Sequence, residues 1–157
     1  MADKLNSMRL LDQHKISYVV REFPDTIHSA VEMADCLGLS RDMVYKTLVV
    51  LSADSKAKPV LVMIAGPREL DLKKLAKAIG QKKMQMAPHK EAERLTGLLT
   101  GGISALALLH KHWPVYLDRP ALDLERIAVS AGKRGANVEL AASDLIKVTG
   151  AKVIEVT

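Results

Sequence analysis

The sequence predicts an α/β (α+β) fold: one compact domain over residues 1–157, built on a mixed, largely antiparallel sheet. Three observations lead there. Segments with strand character outnumber those with helical periodicity. Two of them, 44–51 and 59–65, follow each other across a short polar connection, the pattern of an antiparallel hairpin. No linker divides the 157 residues and no repeat of 20–50 residues recurs, so the chain fits a single core.

Each element has its own signal. Leu5, Met8, Leu10 and Leu11 at helical spacing predict a first amphipathic helix over 4–14. Met1-Ala2-Asp3-Lys4 leads into that pattern and not into an apolar signal core, so no signal peptide is expected. Ile16 to Phe23 predicts a strand, broken by Pro24-Asp25. Ser29-Ala30-Val31-Glu32 matches a capping box, and the helix it opens should stop at Gly38. Cys36, near its end, is expected as a small buried filler.

The run Val44-Tyr45-Lys46-Thr47-Leu48-Val49-Val50-Leu51 is rich in β-branched residues. Side chains alternate along a strand, so Val44, Lys46, Leu48 and Val50 share one face, and Thr47 lies on the other. Lys46 is the strand's only charge. It must snorkel, find a partner, or line a cavity, because an unpaired buried ammonium is costly. Pro59 to Ala65 is apolar almost throughout, as a central strand covered on both faces would be.

Asp71 can cap a helix from Leu72 to Ile79 that Gly80 closes. Leu72, Leu75, Ala76 and Ile79 form its apolar stripe, leaving Lys73, Lys74 and Lys77 on the other side. A short strand over 83–86 and a helix over 88–96 follow, with Met84 and Met86 as core fillers. Residues 96–104 hold too many glycines and hydroxyls for regular structure. Their backbone N–H groups can face an anion or a carbonyl oxygen. His110-Lys111-His112 would put two imidazoles on one strand face, but no third ligand lies at metal-site spacing, and neither metal nor cofactor is expected. Strands are predicted over 114–118, 126–130 and 137–140. Gly132-Lys133-Arg134-Gly135 is a basic loop. Ser143 or Asp144 should cap a last helix through Val148, and 152–156 closes as a strand.

Composition narrows the function classes. No apolar run reaches membrane-span length, and one cysteine excludes an internal disulfide, which fits a cytoplasmic protein. The net charge is +5, and its distribution is uneven. From Arg68 to Arg94 eight Lys and Arg face four acids. A basic concentration of that kind suits a polyanion. With one Trp and one Phe, a base-stacking sheet is not expected. No Ser-His-Asp or Cys-His motif and no glycosidase-like carboxylate pair is present.

Five blocks in order carry a resemblance. They are Val44-Tyr45-Lys46-Thr47-Leu48; Leu70 to Ala78; Thr96-Gly97 with Gly101-Gly102-Ile103-Ser104; Ser130 to Gly135; and Glu139 to Leu145. Together the sequence resembles the YbaK/ProX family of aminoacyl-tRNA editing domains, on the branch of free-standing Cys-tRNA(Pro) deacylases. The resemblance implies a barrel-like sheet flanked by helices and metal-independent hydrolysis of the ester on mischarged tRNA(Pro). It makes Lys46 the residue required for activity, and Gly101, Gly102, Ile103 and Ser104 the loop lining the pocket. Thr47 and Ser130 match polar pocket positions, and Asn137 stands where the branch usually has an acid. Ala105 replaces a common proline. Lys73, Lys74, Lys77, Lys82, Lys83, Lys133 and Arg134 are the candidates for holding tRNA. The expected partners are the acceptor end of tRNA(Pro) and prolyl-tRNA synthetase, with no membrane. The alternative is a non-catalytic tRNA acceptor-end module associated with a synthetase, motivated by Asn137 and Ala105. A small-molecule binder whose basic face is only solvated is a third reading.

Overall fold

The strand predicted over 59–65 is the centre of the molecule. In the computed structural model, which describes residues 4–157, it spans Val60–Ala65 (β3), and every residue of it is buried. Met1 to Asp3 of the N-terminal reading lie outside the described residues. The chain first forms α1 (Asn6–Gln13), β1 (Val19–Glu22), α2 (Ala30–Leu37) and β2 (Tyr45–Ser52). After β3 come α3 (Leu72–Ile79), β4 (Met84–Met86), α4 (His89–Thr96) and β5 (Val115–Asp118). The last elements are β6 (Ile127–Lys133), β7 (Ala136–Leu140), α5 (Ala142–Thr149) and β8 (Lys152–Ile154).

The strands make two sheets where one barrel-like sheet was expected. One has the order β1-β7-β6 and is antiparallel; the other has the order β4-β2-β3-β5-β8. In the second, β2 pairs antiparallel with β3 and β4, while β5 runs parallel to both β3 and β8. The sheets meet at a single bridge, Val44 to Ala128, so the barrel is not closed.

Alternation along β3 explains its unbroken apolar run. Leu61, Met63 and Ala65 face the main core between the sheets, together with Met8, Leu11, Val129, Val138 and Leu145. Val60, Val62 and Ile64 face a second core, closed by Leu75 and Ala76 of α3. A third, small core under α2 gathers Phe23, Met33, Ala34, Val44 and Ala128.

Helix signals were sharp where a side chain caps. Asp71 Oδ1 accepts from the N–H groups of Lys73 and Lys74 at 3.0 Å each, and Gly80 ends α3 in the left-handed region at φ 74°. Ser29 Oγ likewise accepts from Glu32 N at 3.1 Å. Four expectations are corrected. The start of α5 uses neither Ser143 nor Asp144 as cap: the helix begins at the buried Ala142 with Ala141 in the cap position, so both residues lie inside its first turn. Cys36 is exposed, since Met33 and Ala34 take the buried face of α2. Met86 is 41% exposed while Met84 is 4%, as alternation along β4 requires when only one face is covered. His110 to His112 form no strand: Leu109–Lys111 is a 3-10 turn that ends with His112 at φ 56°.

Removing the α3 cap should be measurable. Asp71→Ala deletes the acceptor of two N–H groups and should cost about 1 kcal/mol. Urea unfolding should show a lower midpoint with an unchanged slope.

Candidate active site

The site begins with an uncovered strand edge. β4 pairs only with Val50, Leu51 and Ser52 of β2, so Tyr45 to Leu48 have no strand partner on that side. A cavity of about 230 Å³ lies against this edge. The start of α2, the β4–α4 junction, the loop at Thr100–Gly101 and the β6–β7 pair supply its other walls. Because it wraps an edge, both faces of β2 contribute.

Lys46 is half-buried on the α3 side of β2. Its Nζ donates to the carbonyl of Gly66 at 3.0 Å. Burial pushes its pKa down from the ordinary 10.5, and the Glu69 carboxylate partly opposes that. One of the three ammonium donors is thus committed, leaving two for a ligand. Gly66 has a steric role: a Cβ there would sit 2.9 Å from Ala30 Cβ, so a larger residue would force the start of α2 away. On the other face of β2, Thr47 Oγ1 is buried with no hydrogen-bond partner among the described residues. So are the Tyr45 hydroxyl, Thr100 Oγ1 and Asn137 Oδ1, all on residues of the cavity wall. Burial chiefly, with the Asp118 charge second, pushes the Tyr45 hydroxyl up to about 12.

Of the residues singled out from sequence, Lys46, Thr47, Gly101, Ile103, Ser130 and Asn137 meet around this cavity. Asn137 Nδ2 contacts Met33 Sδ at 2.6 Å. Ser130 Oγ accepts from Gly132 N at 3.2 Å, holding the bulge that shifts the β6–β7 register. Gly102 and Ser104 are not in the lining. Gly102 lets two loops touch: a Cβ would lie 2.8 Å from Arg134 N and from Lys133 C. Ser104 is buried and its Oγ accepts from Leu106 N at 3.2 Å, capping the turn at Ala105–Ala107. Val44, which alternation places on the face of Lys46, packs under α2.

The basic residues divide. Lys73, Lys74, Lys77, Lys82 and Lys83 are exposed, and α3 covers the face of β2 that carries Leu48 and Val50. The lysine-bearing helix therefore stands beside the wall formed by Lys46 and Leu48. Lys133 is exposed at the end of β6. Arg134 is only partly exposed, and its Nε donates to the Thr100 carbonyl at 2.6 Å. His28, His89, Tyr45, Thr100 and Gly66 join the wall without having been singled out. No motif spacing marks the two histidines; they arrive at the starts of α2 and α4. Among the described residues no group of three or more His, Cys, Asp or Glu gathers as a metal site. No helix of the described residues is long and apolar enough to cross a membrane.

A half-buried lysine, unpartnered hydroxyls and a glycine loop around one cavity define a site for a small polar ligand beside a basic surface. Comparison with known proteins makes the class specific. Residues 25–148 match the family model of the aminoacyl-tRNA editing domain. The Enterococcus faecalis (strain V583) protein EbsC, named for deacylation of Cys-tRNA(Pro) and Cys-tRNA(Cys), is 41% identical over 98% of this chain and 93% of its own. A proline–tRNA ligase of Thermodesulfovibrio yellowstonii is 42% identical over 73 residues, 46% of this chain and 12% of the ligase. The crystal structure of hypothetical protein APE2540 shares the fold at a TM-score of 0.85 and 24% identity, over 94% of this chain and 96% of that one. The chain belongs to the aminoacyl-tRNA editing domain family.

The contact at Gly102 can be tested alone. Gly102→Ala puts a methyl against backbone that cannot rotate away, and should cost about 1–3 kcal/mol. Thermal unfolding measures the loss.

Proposed function

We propose that this chain is a trans-editing deacylase that hydrolyses the ester joining a small amino acid, Cys foremost, to tRNA(Pro). The observation that carries it is the Lys46 ammonium held at the cavity wall by the Gly66 carbonyl, in a member of the editing family. The cytoplasmic reading and a working relation to prolyl-tRNA synthetase go with it. They are supported by the likeness of half the chain to a segment of proline–tRNA ligases.

The reaction needs little machinery. Water adds to the ester carbonyl carbon and the carbonyl oxygen takes negative charge. The carbon–oxygen bond to the ribose then breaks, the ribose oxygen keeps one proton of the water, and the free amino acid leaves. An aminoacyl ester is activated, so aligned donors and a positioned water suffice. Lys46, with two free donors, acts as a charged anchor for the terminal phosphate or the oxyanion. Thr47, Ser130 and Asn137 supply polar contacts, and Gly101 with Ile103 shapes the wall. The cavity is small, which favours small amino acids. One carbon more or less is worth about 1–3 kcal/mol in such a pocket, so Cys and Ala esters should be separated only modestly. Lys73, Lys74, Lys77, Lys82, Lys83 and Lys133 hold the tRNA backbone.

Lys46→Ala should slow single-turnover deacylation by at least about 10²-fold, the scale of one lost oxyanion donor. Lys46→Arg should keep tRNA binding better than rate, because charge survives and geometry does not. If all small-amino-acid esters of tRNA(Pro) decay with wild-type protein as they do in buffer, the deacylase reading fails. Binding with steep salt dependence and no turnover would then favour the acceptor-end module.

The pH profile separates the two roles open to Lys46. A charged anchor is present below its lowered pKa and lost as pH rises through it. Enzyme-dependent rate, corrected for the buffer reaction, should therefore fall on the alkaline side from below pH 10.5. A base would give a rise through the same range.

The basic helix has a separate signature. Changing Lys73, Lys74 and Lys77 to Gln should weaken tRNA(Pro) binding and flatten its salt slope, by up to about 0.9 per lost contact. Stability should barely move, since exposed charges contribute little. An unchanged slope would show that the tRNA lies elsewhere.

A further inference from the structure

The glycine loop is held at one residue, Thr100, through the two peptides that flank it. Thr100 N–H donates to Glu93 Oε2 at 2.8 Å, and the Thr100 carbonyl accepts from Arg134 Nε at 2.6 Å. Glu93 sits on α4 and Arg134 at the β6–β7 turn, so two distant elements fix the same residue. Gly101 follows at φ 89°, a backbone conformation open mainly to glycine. A Cβ on Gly101 would lie 3.0 Å from His28 Cα, so the loop is also wedged against the segment before α2. The Gly102 contact with the Lys133–Arg134 backbone closes the remaining side.

This bracing has a chemical consequence. The Thr100–Gly101 peptide is trans, like every described peptide bond. Its N–H therefore points opposite to its carbonyl, away from Arg134. Gly101 lies on the cavity wall, and its N–H has no acceptor among the described residues. A guanidinium on the carbonyl oxygen also polarises the peptide and strengthens its N–H as a donor.

We propose that Arg134 is a positioning residue for the hydrolysis, aiming and polarising the Gly101 N–H so that it meets the developing oxyanion of the ester. The proposal rests on the deacylase reading above. It gives Arg134 a role different from a phosphate contact, although both use its charge. Glu93 is the second half of the clamp: its hydrogen bond from the Thr100 N–H, first, holds its carboxyl below the ordinary range, with the Arg134 charge contributing. Glu93 thus stays ionised where it is needed.

The test compares wild type, Arg134→Gln and Arg134→Lys in three measurements. These are single-turnover deacylation of Cys-tRNA(Pro) at saturating protein, binding of uncharged tRNA(Pro) across a salt series, and the ¹H–¹⁵N resonance of Gly101. Arg134→Gln should lower the saturated rate constant about tenfold, short of the 10²–10³ of losing a donor outright. Its tRNA affinity and salt slope should stay, and the Gly101 amide proton should move upfield as its peptide loses polarisation. Arg134→Lys, keeping charge but not the planar geometry, should recover part of the rate. An unchanged rate constant with a salt slope reduced by about one contact would overturn the proposal and make Arg134 a phosphate ligand. If Arg134→Gln does not fold, Arg134→Lys decides: rate loss with intact binding supports positioning, and no loss of either overturns it. If wild type hydrolyses none of the esters, the deacylase reading falls. The Gly101 resonance in the variants then still decides whether Arg134 governs that peptide.

Discussion

The unbroken pairing of β2 with β3 is the constraint on which the site depends. From Tyr45 opposite Ala65 to Val50 opposite Val60 the register has no bulge. Slipping it by one residue would move every side chain of β2 to the other face. Lys46 would then face the main core with Leu61 and Met63, turned away from the Gly66 carbonyl it bonds in the native register. β3 resists such a slip because both its faces are buried, each against a different core. The register therefore fixes three things at once: Lys46 beside Gly66, Thr47 on the opposite face, and Val49 in the core.

The cavity follows from what β4 leaves undone. A three-residue strand cannot cover an eight-residue one, so half of β2 keeps a free edge. Covering it completely would abolish the cavity; leaving it open to solvent would expose an aggregation-prone edge. The fold takes a middle course, with α2, α4 and the Thr100–Gly101 loop standing around the edge at a distance. Those elements are tied by short contacts that do not cross the cavity: Gly66 against Ala30, Gly101 against His28, Arg134 on Thr100. Glycine is required at the first two because backbone or Cβ atoms of another element occupy the space a side chain would need.

Much of the fold was legible because its signals are local. Asp71 and Gly80 bound α3 to the residue, and the apolar run of β3 correctly implied a strand covered on both sides. The division into two sheets was not legible, since it turns on one bridge between residues far apart in sequence, Val44 and Ala128. The site divided the same way. Lys46 stood out as the lone charge of an apolar strand, and the glycines as a loop. His28 and His89 gave no signal, because a loop and a helix start bring them to the wall and nothing in their spacing records that; Thr100 was marked only as one hydroxyl of the 96–104 stretch. The family resemblance grouped Gly102 and Ser104 with Gly101 as one pocket loop. The backbone turns between them, so one braces a neighbouring loop and the other caps a turn.

The same reasoning separates the lysines into two kinds. Those of α3 and the segment after it are exposed, and at physiological salt their fields fade within about 8 Å. They can attract a polyanion, and salt would readily weaken that attraction. Lys46 is half out of water, so its charge is less screened, but burial also weakens its hold on its proton. Its usefulness depends on the balance between those effects, and the Gly66 carbonyl and the Glu69 charge both tilt that balance toward the ammonium. The pairing of a partly desolvated ammonium with a fixed carbonyl holds one charge at one place on the cavity wall, which is the arrangement the proposed role requires.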